Sequence, residues 1–463
     1  MRLTVFQIVA GLFYGCCALA QTDTELRNGF DDWVARSAFE VKGTSINDPS
    51  TDLEPISEMI GDANIIALSE SLHAAAEPVV FRNRLFKYLV EEHDVKAIAI
   101  ESGLAESKAL NDYVLGFEDD FDESLFNGFS HRFDLFQGNR SLLAWMREYN
   151  DSLPTRGQKI QIFGLDVSGS PPGIGATRKP DTAIRQALTY LQSVDPDAAE
   201  IFRNRVKTLL PILASGNSYG TLNQSERDAL TAAIEDMISL IQRRQAQYTS
   251  TSSEYDYRWA ERTAVAARQT DAWFRRMPLE WTPAGDYGWT AESQNIRDRV
   301  MTDNLDWVIG QLNLADRVFV FASVNHIAAE QHQWPDYLIA QGQRKQDMIP
   351  FGYYARANYK ENLINIFNIV GNGNIKFCGQ PASSPIPVET PRTDWIDAKF
   401  HGHNLGNYFI DLREAPEEIA QWLAVTRDNR NARLSATGSF DLVYYQENVT
   451  HDCLSDIDAN ERE

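Results

Sequence analysis

Residues 65–78 read IIALSESLHAAAEP. Ile65 to Leu68 form an unbroken apolar run, suited to a short strand buried on both faces. Ser69, Glu70, Ser71 and His73 then break the run, and Pro78 suits the first turn of a following helix. A polar turn with a capping residue would explain the break. So would a functional site placed just past the end of a buried strand.

The flanking sequence repeats the pattern. PVVFRNRLFKYLVEEH carries apolar residues near helical spacing at Val80, Phe81, Leu85, Leu89 and Val90. VKAIAIES predicts a second strand, AESKALNDYVLG a helix closed by Gly116, SLLAWMREYN another helix, and KIQIFGLDV a third strand. Alternating strands and helices of this kind predict an α/β fold: a mostly parallel central sheet flanked by helices. From about residue 179 to 313 the pattern changes. DTAIRQALTYLQSV, ERDALTAAIEDMISLIQRRQAQY, YRWAERTAVAARQTDAWFRR and SQNIRDRVMTDNLDWVIGQL all have helical period, which predicts a large all-helical insertion. The sheet resumes at DRVFVFASVNH, with NLINIFNIVG, NYFIDLR and FDLVYYQEN as later strands. The segment QTDTELRNGFDDWVARSAFEVKG reads as one amphipathic helix. No internal repeats or low-complexity tracts stand out.

The first 21 residues, MRLTVFQIVAGLFYGCCALAQ, combine one basic residue, an apolar stretch and the small-x-small ending Ala18-Leu19-Ala20. They predict a signal peptide over residues 1–20, a mature domain over 21–463, and a periplasmic or secreted protein with no stable membrane insertion after cleavage. Two of the 4 cysteines fall in that peptide, leaving Cys378 and Cys453, which are expected to pair in an oxidising compartment. The composition, 43% hydrophobic and 23% charged, is that of a globular chain. Its formal net charge of −22 argues against nucleic acid and against an anionic membrane surface, both of which need clustered Lys and Arg. A neutral or cationic small molecule remains compatible. The oligomeric state is not encoded legibly.

Ionisable residues follow the strands. Glu70 and His73 follow the first, Glu101 ends the second, Asp166 ends the third, and Asn325 and His326 follow the strand at 317–322. In an open parallel sheet the carboxyl ends share one edge, where ligands bind. A single such residue is commonly a cap or a packed histidine; their repetition at separate strand ends points to a site. There His73, neutral near pH 7, suits a general base. Glu70 or Glu101 would hold one of its ring nitrogens, as the third member of a triad does. His326 would share the water, donate to an oxyanion or protonate the leaving group. Arg84 lies seven residues after Glu77 on the same helix face, as a catalytic pair or as a salt bridge.

Two competing motifs are weaker. GNSYG, residues 216–220, matches G-x-S-x-G, but that motif needs a strand before it, and RNRVKTLLPILAS looks helical. It is read as an interhelical turn. Glu70-x-x-His73 is half of a di-iron carboxylate pattern and occurs once, in a loop. A mononuclear metal held by His73, His326 and a carboxylate is an alternative use of the same residues.

DLEPISEMIGDANIIALSESLHAAAEPVVFRNRLFKYLVEEHDVKAIAIES resembles the opening of the erythromycin esterase family. That family carries Gly-Glu-x-Thr-His-Gly, a downstream Glu and Arg on the next helix, and a strand ending in Glu. Glu70, His73, Glu77, Arg84 and Glu101 match in order and spacing. IQIFGLDV resembles the family's later strand ending in Asp, at Asp166. IRDRVMTDNLDWV resembles its Arg-Asp-x-x-Met-x-x-Asn segment, at Arg297, Asp298, Met301 and Asn304. In VFVFASVNHIA, His326 fits the second His of its His-Asn-x-His motif. The resemblance implies an α/β core with a helical insertion and hydrolysis of a carboxylic ester or lactone by water that His73 activates, without a covalent intermediate or a cofactor. It implies that Glu70 orients His73, that Glu101 belongs to the same catalytic group, and that Arg84, Arg297 or His326 stabilises the oxyanion. Glu77, Asp166, Arg297, Asp298 and Asn325 would then contact substrate. The family's Gly, Thr and second Gly are Ser69, Leu72 and Ala74 here, and its first His is Ser323. The resemblance therefore extends to the base and its carboxylate but not to the loops around them. A metal-dependent hydrolase and a non-catalytic small-molecule-binding protein that has kept the pocket are the two rival expectations.

Overall fold

The structure, a computed structural model, describes residues 23–155, 158–169, 181–214, 219–276, 291–340, 347–378, 385–451 and 453. The predicted signal peptide and Ser218 of GNSYG lie outside these residues. In chain order the strands are β1 (Phe39–Glu40), β2 (Ile65–Glu70), β3 (Val95–Gly103), β4 (Gln161–Asp166), β5 (Arg317–Ser323), β6 (Leu363–Ile375), β7 (Ile386–Val388), β8 (Tyr408–Asp411), β9 (Arg427–Asp428), β10 (Arg433–Leu434) and β11 (Leu442–Val449). All but β9 and β10 join one 9-stranded sheet in the order β1-β8-β11-β6-β2-β5-β3-β4, with β7 beside β6. From β11 to β4 every neighbour is parallel, whereas β1, β8 and β7 pair antiparallel at the margins.

The alternation within β2 shows why the fold needs helices on both sides. Ile65 and Ala67 pack on one face with Val318, Val320, Met301 and Leu305. Ile66 and Leu68 pack on the other with Leu85, Phe86, Ile98 and Leu142. Successive strand residues point to opposite faces, so an unbroken apolar run must be covered twice. The first cover comes from the helix Ala291–Ile309, the helix over residues 23–37 and the helix Phe351–Tyr359. The second comes from Ala76–Glu92, Leu104–Leu115 and Gln137–Ser152. Pro78 sits in the first turn of Ala76–Glu92, where a missing N–H costs no helical bond.

Between β4 and β5 the described elements are all helical, from Thr182–Val194 to Ala291–Ile309. They enclose a third apolar cluster that includes Leu188, Leu191, Ile234, Ile238, Ile241 and Trp273. Asn223 and Glu226 form a reciprocal capping box that starts the helix Gln224–Arg243. Tyr219–Thr221 is a single 3-10 turn before it, and Leu210–Leu213 ahead of the GNSYG segment is helical, so among the described residues no strand leads into that motif.

The N-terminal segment differs from expectation. Its helix covers residues 23–37 and stops, and Phe39–Glu40 pair with β8. The Phe39 ring stacks on Phe409, its cross-strand partner, at 5.6 Å. A pairing with residues far along the chain overrides the local helical period. Cys378 and Cys453 form a disulfide with their Cα atoms 5.3 Å apart.

Candidate active site

Strands β2, β5, β3 and β4 are consecutive neighbours and parallel, so their carboxyl ends line one edge of the sheet. Glu70 ends β2 directly across from Ser323, the last residue of β5. Glu101 lies near the end of β3, where the register with β4 shifts between Ile100 and Gly103. Such a bulge re-aims the side chains at a sheet rim. It also brings the β3 backbone against β4: a Cβ at Gly164 would stand 2.4 Å from the Ser102 carbonyl oxygen and 2.5 Å from that of Gly103. The glycine of IFGLD is therefore required by the bulge that sets Glu101.

Glu101 is the hub. One of its oxygens accepts from Arg297 Nη2 at 2.8 Å and lies 3.2 Å from His326 Nε2. Its other oxygen accepts from the Ser323 backbone N–H at 2.7 Å. Burial alone would raise the Glu101 pKa, but His326, then Arg297, hold it well below the ordinary carboxylate range. Arg297 also donates to Asp166 through Nε at 2.8 Å and Nη2 at 2.6 Å, a bidentate fork. Asp166 is pushed down in spite of its burial, by Arg297 and by His131, whose Nε2 stands 3.5 Å away. Arg297 is correspondingly pushed up by Asp166 and Glu101 against the effect of burial.

Asp298, the next residue on the same helix, hydrogen-bonds His326 Nδ1 at 2.7 Å and accepts from the Phe351 backbone N–H at 2.7 Å. Burial opposes a charge on His326, yet Asp298 and Glu101 together lift its pKa to about 10. His73 sits farther out. Its Nδ1 is 2.6 Å from Glu70 Oε2, so Glu70, not Glu101, is its hydrogen-bonded carboxylate, and Nε2 is the ring nitrogen outside that bond. Its side chain is 40% exposed, which screens part of any shift. Burial works against its charge, but Glu70, with help from Glu101, raises it to about 9. This corrects the expectation of a ring that is neutral near pH 7: two nearby carboxylates favour the imidazolium.

His73, Glu101, Arg297, Asp298, Asn325 and His326 line one cavity of about 260 Å³. Trp334, Met348 and Gln294 complete its wall with Ser323. Glu70 and Asp166 are not on that wall but bond to His73 and Arg297, which are, and the other two predicted residues lie elsewhere. Arg84 is buried against Asp52, with further bonds to the Gly43 and Pro49 carbonyls, so its guanidinium anchors the N-terminal loop. Glu77 accepts from the Thr450 N–H at 2.6 Å and the Thr450 hydroxyl at 2.7 Å, which ties its helix to the end of β11. The Glu77–Arg84 pair is not formed. Of the residues that sequence missed, His131 comes from a turn where it and Arg132 both have positive φ, 60° and 61°. Nothing around it marks a strand end. Gln294 was legible only as a residue one turn before Arg297 and Asp298. Among the described residues, no three His, Cys, Asp or Glu side chains gather at metal-ligand spacing.

A family model described as erythromycin esterase matches residues 90–449. The chain belongs to the erythromycin esterase family. Erythromycin esterase type II of Escherichia coli is 21% identical over 399 residues, covering 84% of this chain and 90% of the relative. A putative hydrolase of Bacillus subtilis (strain 168), YbfO, is 19% identical over 356 residues, 76% of this chain and 75% of that one. Among solved structures, a Bacillus cereus protein superposes with a TM-score of 0.73 at 19% identity, covering 93% of this chain and 99% of that one. A mutant of the erythromycin esterase EreC in its open conformation gives 0.66 at 17% identity, with 90% and 98% covered. These superpositions carry the fold. One departure from the erythromycin esterase pattern has a visible physical consequence. Ala74 stands where the family resemblance has glycine, and its φ is 72°. A Cβ in that left-handed region costs roughly 1–2 kcal/mol, which glycine avoids.

Proposed function

We propose that this protein hydrolyses a carboxylic ester or lactone with water activated by His73. The observation that carries the reading is the 2.6 Å bond from His73 Nδ1 to Glu70 in a cavity also lined by His326 and Arg297. Glu70 fixes the tautomer and leaves Nε2 as the base. Water attacks the carbonyl carbon as its proton passes to Nε2, giving a tetrahedral oxyanion. The ring returns that proton to the departing alkoxide, so acid and alcohol leave and the base is restored. His326, kept protonated by Asp298 and Glu101, supplies positive charge to the oxyanion together with Arg297. Glu101 and Asp166 act by holding those two cations in place. Arg84 and Glu77 have no part in the chemistry.

Family membership supports the reaction class. The N-terminal sequence supports export to the periplasm or outside the cell, and a disulfide suits that oxidising setting. The test is turnover of a panel of aryl esters and lactones by the mature protein, with His73→Ala and a chelator series beside it. Turnover lost in His73→Ala and indifferent to chelator is the expected result. Loss on chelation would move the site to metal-dependent hydrolysis. Ligand binding without turnover by the wild type would make it a binding protein.

A further inference from the structure

The helix Ala291–Ile309 gives Arg297 and Asp298 to the cluster, and the same face carries one more polar side chain into the cavity. Gln294 stands three and four residues before them, one turn along the helix. It is buried, and its Nε2 has no hydrogen-bond partner among the described residues. From the turn after β5, Asn325 lines the same cavity, and its Oδ1 is likewise buried and unpartnered. Native proteins leave few buried polar atoms unsatisfied, and a binding site is where the missing partner arrives with the ligand.

The charged groups around them are already matched. Glu101 is bonded to Arg297 and Ser323, Asp166 to Arg297, and Asp298 to His326. Apart from His73 Nε2, the buried unpartnered atoms that the cavity offers among the described residues are an amide donor and an amide acceptor, both neutral. A hydroxyl group both donates and accepts, so it answers either one. Trp334 and Met348 add apolar wall beside them. At about 260 Å³ the cavity lies near the lower end of small-molecule sites, which run from roughly 300 to 1,000 Å³.

We propose that Gln294 and Asn325 set substrate choice by hydrogen-bonding hydroxyl groups, so that the preferred substrate is a neutral, hydroxylated ester or lactone whose bound portion is about the size of one sugar ring. This rests on the ester-hydrolysis reading for turnover, but its binding part can be measured alone.

The experiment uses matched rings with and without hydroxyls. Hydrolysis of δ-gluconolactone and δ-valerolactone is compared by kcat/KM after subtraction of the uncatalysed rates. Binding of the stable lactams of the same two rings is measured by calorimetry. Wild type, Gln294→Met and Asn325→Ala are run in parallel, so either variant serves if the other fails to fold. The expected result is a wild-type preference for the hydroxylated ring that drops at least about tenfold in either variant, mainly through KM. Turnover of both lactones without preference, or a preference that survives both substitutions, overturns the proposal and leaves the esterase reading standing. If neither lactone is turned over, the esterase reading is the one in trouble, and the lactams decide. Tighter binding of the hydroxylated lactam that depends on Gln294 and Asn325 supports the selection. Equal binding, or none, overturns it.

Discussion

Glu70→Gln should separate the two things that Glu70 does for His73. The carboxylate at 2.6 Å fixes the tautomer, and after burial it has the largest influence on the ring, which stands at about 9 against an ordinary 6.5. A base is active only when unprotonated, so kcat/KM in the wild type should rise with pH and reach half its plateau near pH 9. Glutamine keeps the shape and removes the charge. Glu101 still acts on the ring, and the 40% exposed side chain is screened by solvent, so the whole rise is not lost. The midpoint should fall by about one to two pH units. The plateau should fall too, by up to ~10²–10⁴, because the amide no longer holds the imidazole as the carboxylate does. The assay is kcat/KM from pH 6 to 10 for whichever ester or lactone the panel identifies. A midpoint that stays near the wild-type value, or a wild-type profile flat over this range, would refute His73 as the base held by Glu70.

Arg297→Met should leave Glu101 and Asp166 buried without their cation and lower stability by roughly 3–5 kcal/mol in denaturant melts. Arg297→Lys should recover only part, since an ammonium cannot reproduce the bidentate fork to Asp166. Arg84→Met should cost roughly 3 kcal/mol of stability by stranding Asp52, with kcat/KM within about twofold of wild type; a loss of several orders in kcat/KM with unchanged stability would return Arg84 to the chemistry. Cys378→Ser should lower stability by about 2–4 kcal/mol, because the disulfide closes a loop with a sequence separation of 75. Reductant should do the same to the wild type and nothing further to the variant.

What the sequence determined by itself was local. An apolar run such as Ile65–Leu68 followed by Glu70 and His73 declares a buried strand and its polar end, because side-chain period and polarity are written in adjacent residues. The same holds for Glu101, Asp166 and His326, for the helical stretch between β4 and β5, and for a parallel core sheet. Strand order was not legible. Only the fold inserts β5 between β2 and β3, which sets Ser323 across from Glu70 and its N–H on Glu101. The partners of charged groups were not legible either. Arg84 shares a helix face with Glu77 but finds Asp52, 32 residues away, whereas Arg297 finds Asp166, 131 residues away. His131 gave no signal because a turn has no period. Protonation was the last thing decided. A histidine's type sets its ordinary pKa, and Glu70 is a local partner of His73, but the burial of both rings and the carboxylates of Glu101 and Asp298 that act on His73 and His326 come only once remote segments have packed together.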